Sequence, residues 1–200
     1  MEVQYPIQIT RPVRRLGLPL RSKYSLYKDE LREDFYSRCG YCDTPDYYSG
    51  GKRGYHIDHF APKSKFDFLK NDYSNLVYCC PVCNIGKSND WPGKDHAISV
   101  LDDKGYVDPC NEEYQSHLQR SSDGLIHAIT PLGSYIHRKL KLNLKRRQIC
   151  WLLERMEIQK TELAHRILNK DFGEDDREQV NKLCELVVAY FKYVGMLKRE

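Results

Sequence analysis

Residues 39–42 read Cys39-Gly-Tyr-Cys42, and residues 75–88 read Asn75-Leu-Val-Tyr-Cys-Cys80-Pro-Val-Cys83-Asn84-Ile-Gly-Lys87-Ser88. Between them lies Gly54-Tyr-His56-Ile-Asp58-His59-Phe-Ala-Pro62-Lys-Ser64. Each cysteine pair is a Cys-x-x-Cys, a spacing that lets two thiolates reach one ion from a tight knuckle. Together Cys39, Cys42, Cys80 and Cys83 supply four soft ligands, the donor set that tetrahedral Zn²⁺ takes at structural sites. Two redox motifs, or merely buried cysteines, are the alternatives. The 37 residues between the pairs exceed what a zinc ribbon uses, so this stretch must carry structure or function of its own. It has too little apolar content to build its own core, and a metal staple is what such a segment needs.

Working outward, the chain has 200 residues, enough for one domain or one domain with an appendage. At 40% apolar and 30% charged its composition is that of a globular protein and excludes disorder by composition. No apolar run reaches the length of a membrane span, and no apolar segment follows the first charges as in a secretory signal. The expected location is cytoplasmic. There disulfides are rare, and close cysteine pairs more often hold metal. Cys79 is a rival ligand to Cys80, but it breaks the knuckle spacing and points oppositely in an extended segment. Cys150 and Cys184 fall in helical stripes and read as small core residues; Cys110 and Cys79 have no assigned role. The net charge of +4, from 32 basic and 28 acidic residues, permits a nucleic-acid partner without arguing for one.

The expected fold class is α+β, in three segments. Residues 1–35 hold a basic arm (Arg11, Arg14, Arg15, Arg21), with a strand around Val3 to Ile9, and the start of a helix spanning Ser25 to Arg38. The arm suits phosphate contact or simply packs along the domain. Residues 36–92 hold the zinc-bound unit, with a strand at Tyr55-His56-Ile57, a second strand or turn at Asn75 to Tyr78, and a short helix opening at Asn84. Residues 93–200 begin with loops and a hairpin over Leu118 to Ile129, turning at Asp123-Gly124. A helical stripe then runs through Leu140, Leu144, Ile149, Leu152, Leu153, Met156, Leu163 and Ile167. It breaks at Asp171 to Asp176, and Val180, Leu183, Cys184, Val187, Val188 and Phe191 form the stripe of a last helix. A C-terminal helical hairpin is the simplest outcome.

The order of motifs resembles the HNH endonucleases of the ββα-metal group. The shared pattern is a cysteine pair, Asp-His followed by a proline, Asn-Leu, then a second pair followed by His or Asn and, three residues on, Lys. The resemblance covers about residues 36 to 90. It implies a zinc-stapled ββα finger, here within a mainly helical domain, and hydrolysis of phosphodiesters with the help of a second metal. The residues suit that chemistry. His59 is a natural general base, because imidazole titrates near neutrality. Asp58 can bind a hard cation such as Mg²⁺ or Mn²⁺ that stabilises the scissile phosphate and the leaving oxygen. The resemblance assigns to Asn75 the pinning of the His59 loop, and to Asn84 a second cation ligand. Many members carry His at the latter position, so this is an HNN variant. Lys87 lies one turn beyond Asn84 and is expected to contact a phosphate or to structure the short helix. His56 lies on Asp58's side of the strand and has no settled role.

Nucleic-acid contacts are expected at Lys63 and Lys87, and at Arg146 and Arg147 in a run over residues 138–147 with six basic side chains and no acid. Tyr47, Tyr48, Tyr55, Tyr73 and Tyr78 are available to stack on bases or to pack the core. DNA is the expected substrate, with RNA, including tRNA, as the alternative. A non-catalytic zinc module that binds nucleic acid or protein is the rival from another class. Tyr106-Val-Asp-Pro109 and the helical tail make the layout similar to the HNH nuclease subunits of bacterial anti-phage defence systems of the Septu type. That likeness implies an ATPase partner and a defence role.

Overall fold

The computed structural model describes residues 4–168 and 174–199. In chain order the elements are β1 (Gln4–Pro6), α1 (Lys28–Asp34), α2 (Gly51–Gly54), β2 (His56–His59), β3 (Leu76–Cys79) and α3 (Pro81–Lys87). They continue with β4 (Val100–Leu101), β5 (Lys104–Gly105), β6 (Leu118–Ser121), β7 (Ile126–Ala128), α4 (Pro131–Lys139), α5 (Lys145–Leu168) and α6 (Glu174–Leu197). The chain divides into two compact units, residues 1–144 and residues 145–200. No helix among the described residues is long and apolar enough to cross a membrane.

The first unit is held by β2, β3 and α3. β2 and β3 pair antiparallel, with Asp58 opposite Val77 and His59 opposite Leu76. α3 follows at once, giving a ββα arrangement. It starts at Pro81, three residues ahead of the Asn84 expected from sequence. Proline at the first helical position loses no hydrogen bond, and the Cys80 sulfur caps the helix by accepting from Cys83 N–H at 3.4 Å. On the other side, α1 is shorter than the Ser25–Arg38 expectation. A 3₁₀ turn occupies Tyr24–Tyr27, and Tyr36 and Ser37 take positive φ just beyond the helix. That reversal brings Arg38 beside Pro45 and delivers Cys39 into its knuckle, where Cys39 N–H reaches Thr44 O and Asp43 N–H reaches Cys39 O. Leu31 and Phe35 still enter the core, whereas Leu26 is exposed.

The core is built largely on tyrosine. Tyr27, Tyr41, Tyr55, Tyr78, Tyr106 and Tyr114 are essentially inaccessible, and each hydroxyl donates to a partner. The partners are Pro19 O, Asp58, Thr44 O, Asp46, Asp90 and Tyr41 O respectively. A buried ring adds apolar area, and a satisfied hydroxyl removes the cost of burying its polar end. Of the tyrosines considered for base stacking, Tyr55, Tyr73 and Tyr78 are therefore core residues.

The N-terminal arm packs into the same unit. β1 adds to the β6–β7 hairpin in the order β1-β6-β7, Ile7 and Gln8 are buried, and Gln8 donates to Gly40 O and Pro109 O. The arm's arginines are paired with carboxylates of the same chain. Arg11 pairs with Glu112, Arg14 with Asp108, Arg15 with Glu33 and Asp34, and Arg21 with Glu30. The arm is thus a packed element, the second of the two expected alternatives.

The basic run at 138–147 is not one helix face. α4 ends at Lys139, Lys141 takes a positive φ, and α5 begins at Lys145. Leu140 and Leu142 of this turn are buried. In the second unit, α5 and α6 lie antiparallel, with Arg146 Nη1 near the α5 start donating to Leu197 O at the α6 end. Ile149, Cys150, Trp151 and Leu153 of α5 are buried, while Cys184, Val188 and Phe191 of α6 are exposed. Of the break expected at 171–176, residues 171–173 lie outside the described residues, and α6 already begins at Glu174.

Candidate active site

The four knuckle cysteines converge. Cys39, Cys42, Cys80 and Cys83 are buried, and their sulfurs lie within 4.8 Å of one another. Zn–S bonds of about 2.3 Å in a tetrahedron place sulfurs about 3.8 Å apart, and Cys42 Sγ and Cys80 Sγ are separated by 3.8 Å. The donor set and its spacing fit zinc. Cys79 points away, its thiol near His56 O, and remains outside the cluster, as β alternation requires. Cys110 is half-buried against the core, and burial pushes its thiol up to about 12.

β2 carries the Asp-His pair away from the cysteines. His56 and Asp58 share one strand face, which α3 covers. Asn84 Nδ2 meets His56 Nδ1 at 2.9 Å. Lys87, one turn on, is fully buried and donates to His59 O at 2.9 Å and to Asp58 Oδ2 at 3.1 Å. Tyr41 donates to the same Asp58 oxygen at 2.7 Å. Lys87 is therefore an internal brace, because an ammonium with no exposed surface cannot reach a phosphate. This corrects its place among the nucleic-acid contacts.

His59 ends the strand on the opposite face. Its Nε2 lies 2.9 Å from Lys70 O. A carbonyl only accepts, so Nε2 carries the proton and Nδ1 keeps its lone pair free for another proton. Burial holds the imidazole below its ordinary 6.5, with Lys63 and Lys87 adding to the effect and the Lys70 carbonyl opposing it. The ring is also fixed from the side by Tyr24, edge-on at 4.6 Å. Lys63 is exposed, sits 4.6 Å above the Tyr24 ring and donates to its hydroxyl at 3.2 Å. Tyr24 carries no motif. The only hint of it in sequence is a tyrosine at the head of the first helix.

Asn75 is buried where the loop after His59 returns to β3. Its Oδ1 accepts from Ala61 N–H at 2.8 Å, and its Nδ2 donates to Ala61 O at 3.0 Å and Leu69 O at 3.4 Å. Its backbone carbonyl accepts from Phe60 N–H. One side chain thus bridges the residues just after His59 and the segment whose Lys70 carbonyl holds the His59 ring.

Asp58 and Asn84, the residues expected to hold a hard cation, stand on β2 and α3, elements that meet at Asn84–His56 and Lys87–Asp58. One Asp58 oxygen is already taken by Tyr41 and Lys87, leaving the other carboxylate oxygen and the Asn84 amide oxygen. Among the described residues no second group of three His, Cys, Asp or Glu side chains converges. Donors this few fit an ion that keeps waters and takes oxygens from a phosphate ligand, as Mg²⁺ does. Arg146 and Arg147 belong to the second unit. Arg147 is buried, which removes it as a surface contact. The Tyr106–Pro109 motif is consumed inside the fold. Tyr106 and Val107 are buried, Asp108 pairs with Arg14, and Pro109 O accepts from Gln8.

No curated protein and no solved structure matches the chain. The family model of HNH endonucleases matches residues 39–90, the segment that holds the four cysteines, Asp58, His59, Asn75 and Asn84, and by that match the segment is similar to the HNH endonucleases.

Proposed function

We propose that this protein is a metal-dependent endonuclease that hydrolyses phosphodiester bonds of DNA. The observation that carries the reading is the state of His59: one ring nitrogen tied to the Lys70 carbonyl, the other free, on a strand anchored beside a zinc-type cysteine cluster. His59 Nδ1 takes the proton of the attacking water. Asn75 keeps the following loop in place, so that the ring and its Lys70 partner stay in register. Asp58 and Asn84 hold the divalent cation, Mg²⁺ or Mn²⁺, which when bound neutralises charge on the scissile phosphate and on the departing oxygen. Lys87 and Tyr41 fix Asp58 so that it does not have to reorganise. Cys39, Cys42, Cys80 and Cys83 hold zinc and tie the first knuckle to the second, where β3 ends and α3 begins. We further propose a role in anti-phage defence beside an ATPase, which rests on sequence likeness alone, since the Tyr106–Pro109 motif has a structural use.

The test is plasmid cleavage with Mg²⁺ or Mn²⁺ by the wild type and by His59→Ala, with zinc content measured for both. Loss of cutting in the variant at unchanged zinc content supports the general base. Unchanged cutting in the variant sinks it. Absence of cutting by both proteins, with and without proteins co-purified from the native host, favours a zinc-held binding module. Parallel incubation with total RNA, including tRNA, separates DNA from RNA as substrate.

A further inference from the structure

The loop that follows His59 reads Lys63-Ser-Lys65-Phe66-Asp67-Phe68-Leu-Lys70. A chain with a tyrosine-rich buried core leaves a phenylalanine in this loop 70% exposed, namely Phe68. It is not loose. His96 packs at 5.2 Å and 86°, and Phe66 at 6.4 Å and 78°. Phe66 in turn contacts Trp91, and Trp91 contacts Phe60, the residue after His59. These are edge-to-face contacts, which hold a ring without stacking on it, and most of the Phe68 surface stays open. The same loop carries three exposed lysines, Lys63, Lys65 and Lys70. Lys65 donates to Trp91 O, and the Lys70 ammonium has no intramolecular partner among the described residues. Phe68 and Lys70 also line a cleft of about 860 Å³, together with Leu16, Leu20 and Arg21. Asp58 and His59 do not line this cleft. It meets the site through Lys70, whose carbonyl holds the His59 ring. Phe68 is two residues from that carbonyl, at most about 7 Å of chain.

Exposed aromatic rings interleaved with cations beside a backbone-cutting site match what unpaired nucleic acid requires. Lysines follow the phosphates, and a ring face stacks on a base that duplex pairing would otherwise keep covered. We propose that Phe68 is a stacking platform for an unpaired base flanking the scissile phosphate, with Lys63 and Lys70 on the adjoining phosphates. The site then takes single-stranded or locally melted nucleic acid ahead of intact duplex. This rests on the nuclease reading for the position of the scissile phosphate, but its test reads binding alone.

The probes are short fluorescein-labelled oligonucleotides of one sequence: single-stranded DNA, its blunt duplex, and single-stranded RNA. Anisotropy titrations use full-length His59→Ala protein, so that cutting does not intervene. The expected result is tighter binding of single strands than of duplex. Phe68→Ala in that background weakens single-strand binding by about 5- to 150-fold, the range for one stacked base, and Phe68→Trp restores it. Duplex binding changes by less than about twofold, because paired bases do not reach the ring. Unchanged zinc content and near-ultraviolet circular dichroism certify the fold. Preferred binding of duplex, no effect of Phe68→Ala, or equal losses on single strand and duplex overturns the inference. The DNA and RNA arms identify which strand chemistry the platform takes. Phe68-dependent binding by a wild type that cuts nothing would retain the platform and reject the nuclease reading; cutting without Phe68-dependent binding would do the reverse.

Discussion

At the scale of single residues, the site depends on side chains whose partners are backbone atoms. Asn75 is the clearest case. Removing its amide leaves Ala61 N–H and two carbonyls without their partner in a buried loop. Asn75→Ala is therefore expected to cost roughly 2–4 kcal/mol of stability, read as a fall in the urea midpoint at unchanged slope. His59 depends on Lys70 O for its tautomer and on Tyr24 for its orientation. Tyr24→Ala should lower kcat by about 10- to 100-fold through misplacement of the base. Tyr24→Phe keeps the ring contact, loses only the Lys63 hydroxyl partner, and should stay near the wild type in a plasmid-cutting assay. The motif residues were legible in sequence because their spacing is local. Tyr24 was not, because it reaches His59 across 35 residues and a single tyrosine has no signature. Lys87 and Arg147 were misread for a related reason: sequence reports charge, while burial decides whether charge meets solvent or an internal carboxylate.

At the scale of elements, α3 is the part on which most depends. It must lie close enough to β2 for Asn84 and Lys87 to meet His56 and Asp58. Its outer side lies against the end of α4, where a Cβ on Gly86 would sit 2.5 Å from Lys139 O. A backbone oxygen cannot yield as a side chain does, so Gly86→Ala is expected to destabilise by about 1–3 kcal/mol. It should also shift α3 toward β2 and lower cutting, which plasmid assays on the folded fraction would measure. The α3–α4 contact is reinforced by Asp90, which accepts from Tyr106 and Tyr135 and pairs with Lys139. The hairpin at Leu118–Ala128 and the strand–strand–helix order were readable from alternation and turn residues. The ends of α1 and α3 were not, because a knuckle reversal at Tyr36–Ser37 and a sulfur cap at Cys80 set them, and neither belongs to helix periodicity.

At the scale of the whole molecule, the first unit encloses its cysteine cluster in tyrosines. Tyr41, Tyr55 and Tyr78 are packed around the knuckles and β3. Four thiols brought together without an ion have no other staple, so zinc binding and folding of this unit should be one event. Elemental analysis is expected to find one zinc per chain. A strong chelator should collapse the near-ultraviolet circular dichroism of the buried tyrosines. Helical signal from the separate α5–α6 unit should survive to a larger extent. A chain that keeps its tyrosine signal after losing all metal would contradict this.

The sequence by itself determined the four-cysteine cluster, the Asp58–His59 pair, the ββα order and the segment that matches the HNH family model. All of these are written in short spacings between chemically unusual residues. Only the tertiary structure decided which cations face solvent, which aromatic ring and carbonyl hold the His59 imidazole, and that Phe68 is left outside in the loop that follows it. Those outcomes depend on contacts between residues far apart in the chain, where burial and hydrogen-bond geometry are set jointly by several elements and by no local pattern.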